Sequence, residues 1–136
     1  MKKHIYRLTV RGYELDSFGH VNNSVYLQYS ETALWDFLGS NGLTDTLEEE
    51  GLFPVILESR QRYIRELKMF DRVRIETELS CSGGIVSYRH DMINETAELL
   101  SCRVAGKLAY VNRERIICDI PDRIRDFIGR NDDERL

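Results

Sequence analysis

Asp16-Ser17-Phe18-Gly19-His20-Val21-Asn22-Asn23-Ser24-Val25-Tyr26-Leu27-Gln28-Tyr29 is the stretch whose reading decides the fold. An acid leads, a glycine and two asparagines bend the backbone, and an apolar-periodic run starts at once. Gly19 tolerates positive φ, and Asn22, Asn23 and Ser24 all offer side-chain oxygens to the orphan N–H groups of a first helical turn. The reading is a loop feeding a helix N-terminus. Such an end carries free amides and partial positive charge, so it favours whatever is, or becomes, negative. Asp16 falls beside that spot. From the residues alone, an acidic loop before a helix is either a plain cap or a catalytic turn.

Downstream, Tyr26, Tyr29, Ala33 and Phe37 recur at helical spacing, and Val25, Leu34, Trp35 and Leu38 broaden the stripe, which predicts a helix over 23–38. Gln28, Glu31, Thr32 and Asp36 mark the narrower polar side. So wide an apolar face implies a helix surrounded by other structure. Upstream, the alternation of residues 5–10 predicts a half-buried strand that delivers the chain to the loop.

Beyond the helix, Thr44 is placed to cap a short helix ending at Gly51. After Pro54 the period becomes two. Val55, Leu57, Ser59, Gln61 and Tyr63 fall on one side and Ile56, Glu58, Arg60 and Arg62 on the other, giving a strand to about Leu67. Residues 72–81 read as a strand with Val73, Ile75, Thr77, Leu79 and Cys81 inward, and Gly83-Gly84 supplies a hairpin turn. Strands over 85–93 and 98–112 follow, and Pro121 opens a short terminal helix to Ile128. A strand, a long helix and four antiparallel strands joined by short turns argue for an α+β fold. Residues 1–129 form one domain and 130–136 a polar tail.

Composition narrows the function classes. A chain of 136 residues holds one domain with a proper core. Its 42% hydrophobic and 31% charged residues are those of an ordinary globular protein. A net charge of -4 gives no general attraction to nucleic acid or anionic membranes. No run is long enough to span a bilayer, and Met1-Lys2-Lys3-His4 leads into alternation rather than an apolar core, so a cytoplasmic location is expected. Cys81, Cys102 and Cys118 are odd in number and widely spaced, which suits reduced, buried packing thiols. His4, His20 and His90 lack ligand spacing with the cysteines, so no metal is expected, and no cofactor motif or Gly-x-Ser-x-Gly elbow occurs.

The pattern Asp-x-x-Gly-His-Val-Asn-Asn-x-x-Tyr, followed by a helix with Glu31 and Ala33, resembles the signature of the hotdog-fold thioesterases of the 4-hydroxybenzoyl-CoA thioesterase-like superfamily. The resemblance covers about residues 5–111, with a second landmark at Arg62-Tyr63 and Phe70-Asp71. It implies an antiparallel sheet wrapped around a long central helix, a homodimer or homotetramer with active sites at the subunit interface, and hydrolysis of an acyl-CoA or acyl-ACP thioester. It places Asp16 as general base or nucleophile and the backbone N–H of Asn23 as the donor that polarises the carbonyl. His20 is either a further donor, a partner that orients Asp16, or a loop histidine bonded to backbone. Gly19, Tyr26, Glu58 and Tyr63 are candidate substrate-binding residues. For the tyrosines the alternative is plain core, and for Glu58 a solvated carboxylate paired with Arg60 or Arg62. Arg60, Arg62, Arg65, Lys68 and Arg89 are candidate partners for coenzyme A phosphates, with no choice among them. A hotdog dehydratase fits worse, because the His and acid pair of those enzymes sits in a different sequence setting. An acyl-thioester binding or assembly module without catalysis is the alternative function, for which the same scaffold suffices.

Overall fold

The structure, a computed structural model, describes residues 3–133, with side chains through Gly129. Strand β1 (His4–Thr9) leads through a short 3-10 turn (Gly12–Glu14) and the site loop into helix α1 (Asn23–Ser40). Helix α2 (Leu43–Glu50), strands β2 (Phe53–Tyr63), β3 (Arg72–Ser82), β4 (Ile85–Asn94) and β5 (Leu99–Val111), a short β6 (Ile117–Cys118) and helix α3 (Asp122–Asp133) follow. The order across the sheet is β1-β3-β4-β5-β2, with β6 on β5, and every described pairing is antiparallel.

Helix α1 begins where the sequence places it. Asn22 caps it, its side-chain oxygen accepting from the Ser24 amide at 3.1 Å, which satisfies one of the orphan donors of the first turn. Val25, Tyr26, Tyr29, Ala33, Leu34, Phe37 and Leu38 are buried against the inner face of the sheet. That face is built by Val73, Ile75 and Leu79 of β3, Val86 and Met92 of β4, and Cys102, Val104 and Leu108 of β5. The inward alternation expected of β3 is observed, with Thr77 buried among the apolar positions.

Several expectations need correction. Trp35 does not extend the buried stripe: it is 48% exposed, and Leu27 is 43% exposed on the same helix. Strands β3, β4 and β5 form the expected meander, but β2 does not join it as a neighbour of β3; it lies at the far edge, on β5. Strand β2 also ends at Tyr63, because the amides of Ile64 and Arg65 both turn onto the Ser101 carbonyl (2.9 and 3.0 Å) and Leu67 turns away to receive the Val21 amide (2.8 Å). A bulge at Leu57 shifts the register between Ile56 and Glu58. A single extra residue reverses the faces, so Pro54 and Ile56, not Val55 and Leu57, share a side with Ser59, Gln61 and Tyr63. Helix α2 is entered through Gly42 in the left-handed region, φ 67°, not capped by Thr44, and Gly51 ends it as expected. Of the thiols only Cys102 is fully buried. Helix α3 continues past Ile128 into the segment read as tail, and 134–136 lie outside the described residues.

Candidate functional site

The loop between β1 and α1 is held at both ends by backbone. Leu15 and Val21 form an isolated bridge, the Asp16 amide donates to the His20 carbonyl (2.7 Å), and the Asn22 amide donates to the Glu14 carbonyl (2.9 Å). Within this small hairpin the Asp16 carboxylate is part of the turn. Its Oδ1 accepts from the amides of Phe18 (2.8 Å) and His20 (3.2 Å). Such an Asx turn is what a short acidic side chain does in place of a backbone bond, and it fixes the carboxylate's position. The other oxygen, Oδ2, has no hydrogen-bond partner among the described residues. Gly19 completes the turn with φ 80°.

The linker 64–71 is stitched underneath. Val21 bonds to Leu67, Lys68 bridges to His20, and the Val10 amide donates to the Asp71 carbonyl (2.9 Å). Loop, helix start and linker together enclose an open cleft of about 220 Å³. Asp16, His20, Asn23, Tyr26 and Tyr63 all line it. At the first helical position the Asn23 amide has no partner among the described residues, which is the expected state of an N1 amide, while its carbonyl receives the Tyr63 hydroxyl at 3.4 Å. Tyr26 and Tyr63 meet edge to face with ring centroids 5.4 Å apart. Burial pushes the Tyr26 phenol up to about 12 and raises that of Tyr63, so both stay neutral donors. A fixed carboxylate and a free helix-terminal amide on one cleft wall can serve proton transfer and the stabilisation of a growing negative charge.

Two candidates do not reach the cleft. Gly19 lies at the exposed loop tip, where a Cβ would meet nothing within 4 Å, so its need is conformational. Glu58 is exposed on β2, with Lys107 at 3.6 Å as its partner rather than Arg60 or Arg62, beside a different hollow formed with Ser87, Tyr88 and Gly106. Tyr26 is both core and cleft wall, being almost fully buried. The link between His20 and Asp16 runs through the His20 amide, while the ring Nε2 stands 4.0 Å from Glu66 Oε1.

Glu14 was not among the candidates. It is buried, and its carboxylate accepts from the Arg11 amide (2.8 Å), the Arg11 guanidinium (3.0 Å) and the Tyr29 hydroxyl (2.8 Å). Burial works to raise its pKa, but those three donors outweigh it and hold the carboxyl below the ordinary range. The network ties the base of the loop to the middle of α1. In the sequence Tyr29 reads as one more stripe position, so nothing announced that its hydroxyl holds a buried acid. Removing one donor from a buried carboxylate costs about 1.5–3 kcal/mol, so Tyr29→Phe is expected to lower stability in urea by that amount. Adding Glu14→Gln should cost less than the sum of the two single changes. Strict additivity would mean that the pair does not act as a unit.

Comparison with known proteins agrees with this geometry. A sequence profile described as the thioesterase-like superfamily matches residues 10–128. Acyl-acyl carrier protein thioesterase ATL2 of Arabidopsis thaliana is 33% identical over 130 residues, 93% of this chain and 68% of its own length. Long-chain acyl-CoA thioesterase FadM of Escherichia coli is 31% identical over 78 residues, 57% of this chain and 59% of its own length. The matched segments span between 45% and 59% of the length of three of the curated relatives. Among solved structures, Slr0204 of Synechocystis, a 1,4-dihydroxy-2-naphthoyl-CoA thioesterase, superposes with a TM-score of 0.86 at 16% identity, covering 94% of this chain and 96% of that one. At that identity the likeness speaks for the fold, a sheet curled about one long helix, while the profile and the ATL2 match speak for descent. The chain has the hotdog fold and belongs to the thioesterase-like superfamily.

Proposed function

We propose that this protein hydrolyses an acyl thioester carried on coenzyme A or on an acyl carrier protein, with Asp16 promoting the attack. The observation that carries the reading is the meeting of the Asp16 carboxylate and the free Asn23 amide in one cleft at the start of α1. Water bound at Oδ2 adds to the thioester carbonyl and gives its proton to Asp16. The carbonyl oxygen, now negative, is held by the Asn23 amide with the helix dipole behind it, a donor worth roughly 3 kcal/mol. Collapse of the intermediate breaks the C–S bond, and the leaving thiolate takes the proton back from Asp16. Direct attack by the carboxylate, through an anhydride that water then opens, uses the same two groups. Tyr26 and Tyr63 form the wall beside the carbonyl, and the His20 ring stands at the rim as a further donor.

A second copy of the chain completes the site in this reading. Strand β2 is an eleven-residue edge strand, and exposed edges of this length call for cover. Phe53, Ile56 and Leu57 on β2 and Leu27 and Trp35 on α1 are all more than 40% exposed. Antiparallel pairing of two β2 strands about a twofold axis buries these side chains. It also lays the Phe53 end of one strand against the Tyr63 end of the other, so the partner borders the cleft where the acyl group must lie.

The test is release of free thiol from a panel of acyl-CoA and acyl-ACP substrates, with the particle mass followed by sedimentation. Turnover by particles of two or four chains is expected. Tight binding without turnover on every thioester would contradict hydrolysis and leave a thioester-binding module; full activity in a monomer would contradict the shared site.

A further inference from the structure

The inference concerns where the leaving group is held, and it rests on the thioester reading above. Coenzyme A and acyl carrier proteins present their thiol on the same arm, pantetheine ending in a phosphate ester. A cleft that holds the carbonyl therefore needs an anion-accepting surface an arm's length away. Basic residues are plentiful, and the structure sorts them. On the outer face of the sheet Arg7, Arg74, Arg89 and Arg103 each lie within 4 Å of a carboxylate. Arg60 and Arg62 stand on the β2 edge, and Arg62 pairs in register with Arg103 on that outer face.

Arg65 and Lys68 differ. Neither has an ion-pair partner among the described residues, and both line a crevice of about 320 Å³ that adjoins the Asp16 cleft, with Arg65 and Glu66 forming walls of both. Its remaining lining is Asp71, Asn94, Leu99 and Ser101. The acids there are engaged elsewhere: Asp71 Oδ2 accepts from the Lys68 amide at 2.8 Å, and Glu66 stands by His20. Ser101 supplies an independent sign of a ligand. It is 2% exposed, and its Oγ has no hydrogen-bond partner, a state that costs stability unless something uses the group. Its carbonyl holds the amides of Ile64 and Arg65, so the base of the Arg65 side chain is fixed in place.

We infer that this crevice receives the phosphate at the end of the pantetheine arm, with Arg65 and Lys68 as the cations that meet it and the Ser101 hydroxyl as a donor at its floor. Guanidinium and ammonium groups suit a phosphate ester as fork and point charge respectively. Because the phosphate is common to both carriers, the site does not itself choose between them.

Calorimetric binding tests this without any turnover, so the hydrolysis proposal and this one can fail separately. The probes are 4′-phosphopantetheine, which is the shared arm, and desulfo-coenzyme A, which adds the nucleotide. Replacing both cations, Arg65→Gln with Lys68→Gln, is expected to weaken both probes by about tenfold or more, and to flatten the dependence of affinity on salt. Glu66→Gln, which removes a neighbouring negative charge, should tighten both several-fold, an effect that damage to the fold does not produce. Equal affinities for wild type and the double variant would overturn the assignment. So would a loss confined to the coenzyme, which would place the nucleotide phosphates there instead, or failure of the wild type to bind either probe.

Discussion

Stability falls steeply between pH 6.5 and pH 4.5, by about 3 kcal/mol from one side chain, His90. This histidine lies on the inner face of β4, completely buried, sharing a hydrogen bond with Thr77 Oγ1 at 2.7 Å, and its Nε2 has no partner. Burial, with a lesser push from His4 and against a small pull from Asp91, lowers its pKa to about 3. Tyr88 packs beside the ring, and His4 is itself tied to Asp36 at 2.7 Å. The sign follows from the two states. The unfolded chain protonates this histidine near its ordinary value of about 6.5, while the folded chain keeps it neutral down to about pH 3. As pH drops through that window the unfolded state binds the additional proton, and stability is lost at about 1.4 kcal/mol per pH unit. Carboxylates titrate in the lower part of the same window, so the variant comparison isolates the histidine. His90→Phe combined with Thr77→Val removes the titrating group and the hydroxyl that pairs with it. Urea denaturation from pH 7.5 to 4.5 should show a markedly shallower decline for that variant. Parallel declines would mean that the buried ring takes up its proton in the folded state.

What the sequence made legible was local. Asn22 and the apolar spacing after it place the start of α1 at the right residue, and the alternation of Val73, Ile75, Thr77 and Leu79 gives β3 its correct face. Because Asp16, His20 and Asn23 sit on one short loop and the first helical turn, their proximity followed from the chain itself. Tyr63 joined them only through the resemblance, since forty positions separate it from Asn23.

What stayed hidden depended on distant pairing. Nothing in residues 53–63 says that the strand crosses to the far edge beside β5, because strand order is set by which ladders form and not by any one strand's pattern. The bulge at Leu57 is invisible in a binary pattern, yet it reverses the faces on either side. Glu58 was placed near the thioester by analogy, and the fold sets it beside Lys107 instead. Trp35 counts as core by hydropathy but lies exposed beside Ile56 at the uncovered edge. Glu14 was missed for the opposite reason: a charged residue reads as surface, and only the tertiary meeting with Tyr29 and the turn back to Arg11 accounts for its burial.

The central claim is that the Asp16 carboxylate does the chemistry and does not merely shape the loop. Both roles are present in one side chain, and a single substitution separates them. Asparagine keeps a carbonyl oxygen that can accept from the Phe18 and His20 amides as Oδ1 does now, so the loop and the melting temperature should be retained. It lacks the second basic oxygen, so proton abstraction is lost. A positioned base is worth roughly 10²–10⁴-fold, and the Asp16→Asn variant should fall by that factor in kcat on the best thioester of the panel, with KM little changed. The decisive measurement is therefore thiol release by wild type and Asp16→Asn at saturating substrate: a loss of at least about a hundredfold in a folded protein is the result expected here, and equal rates would contradict it.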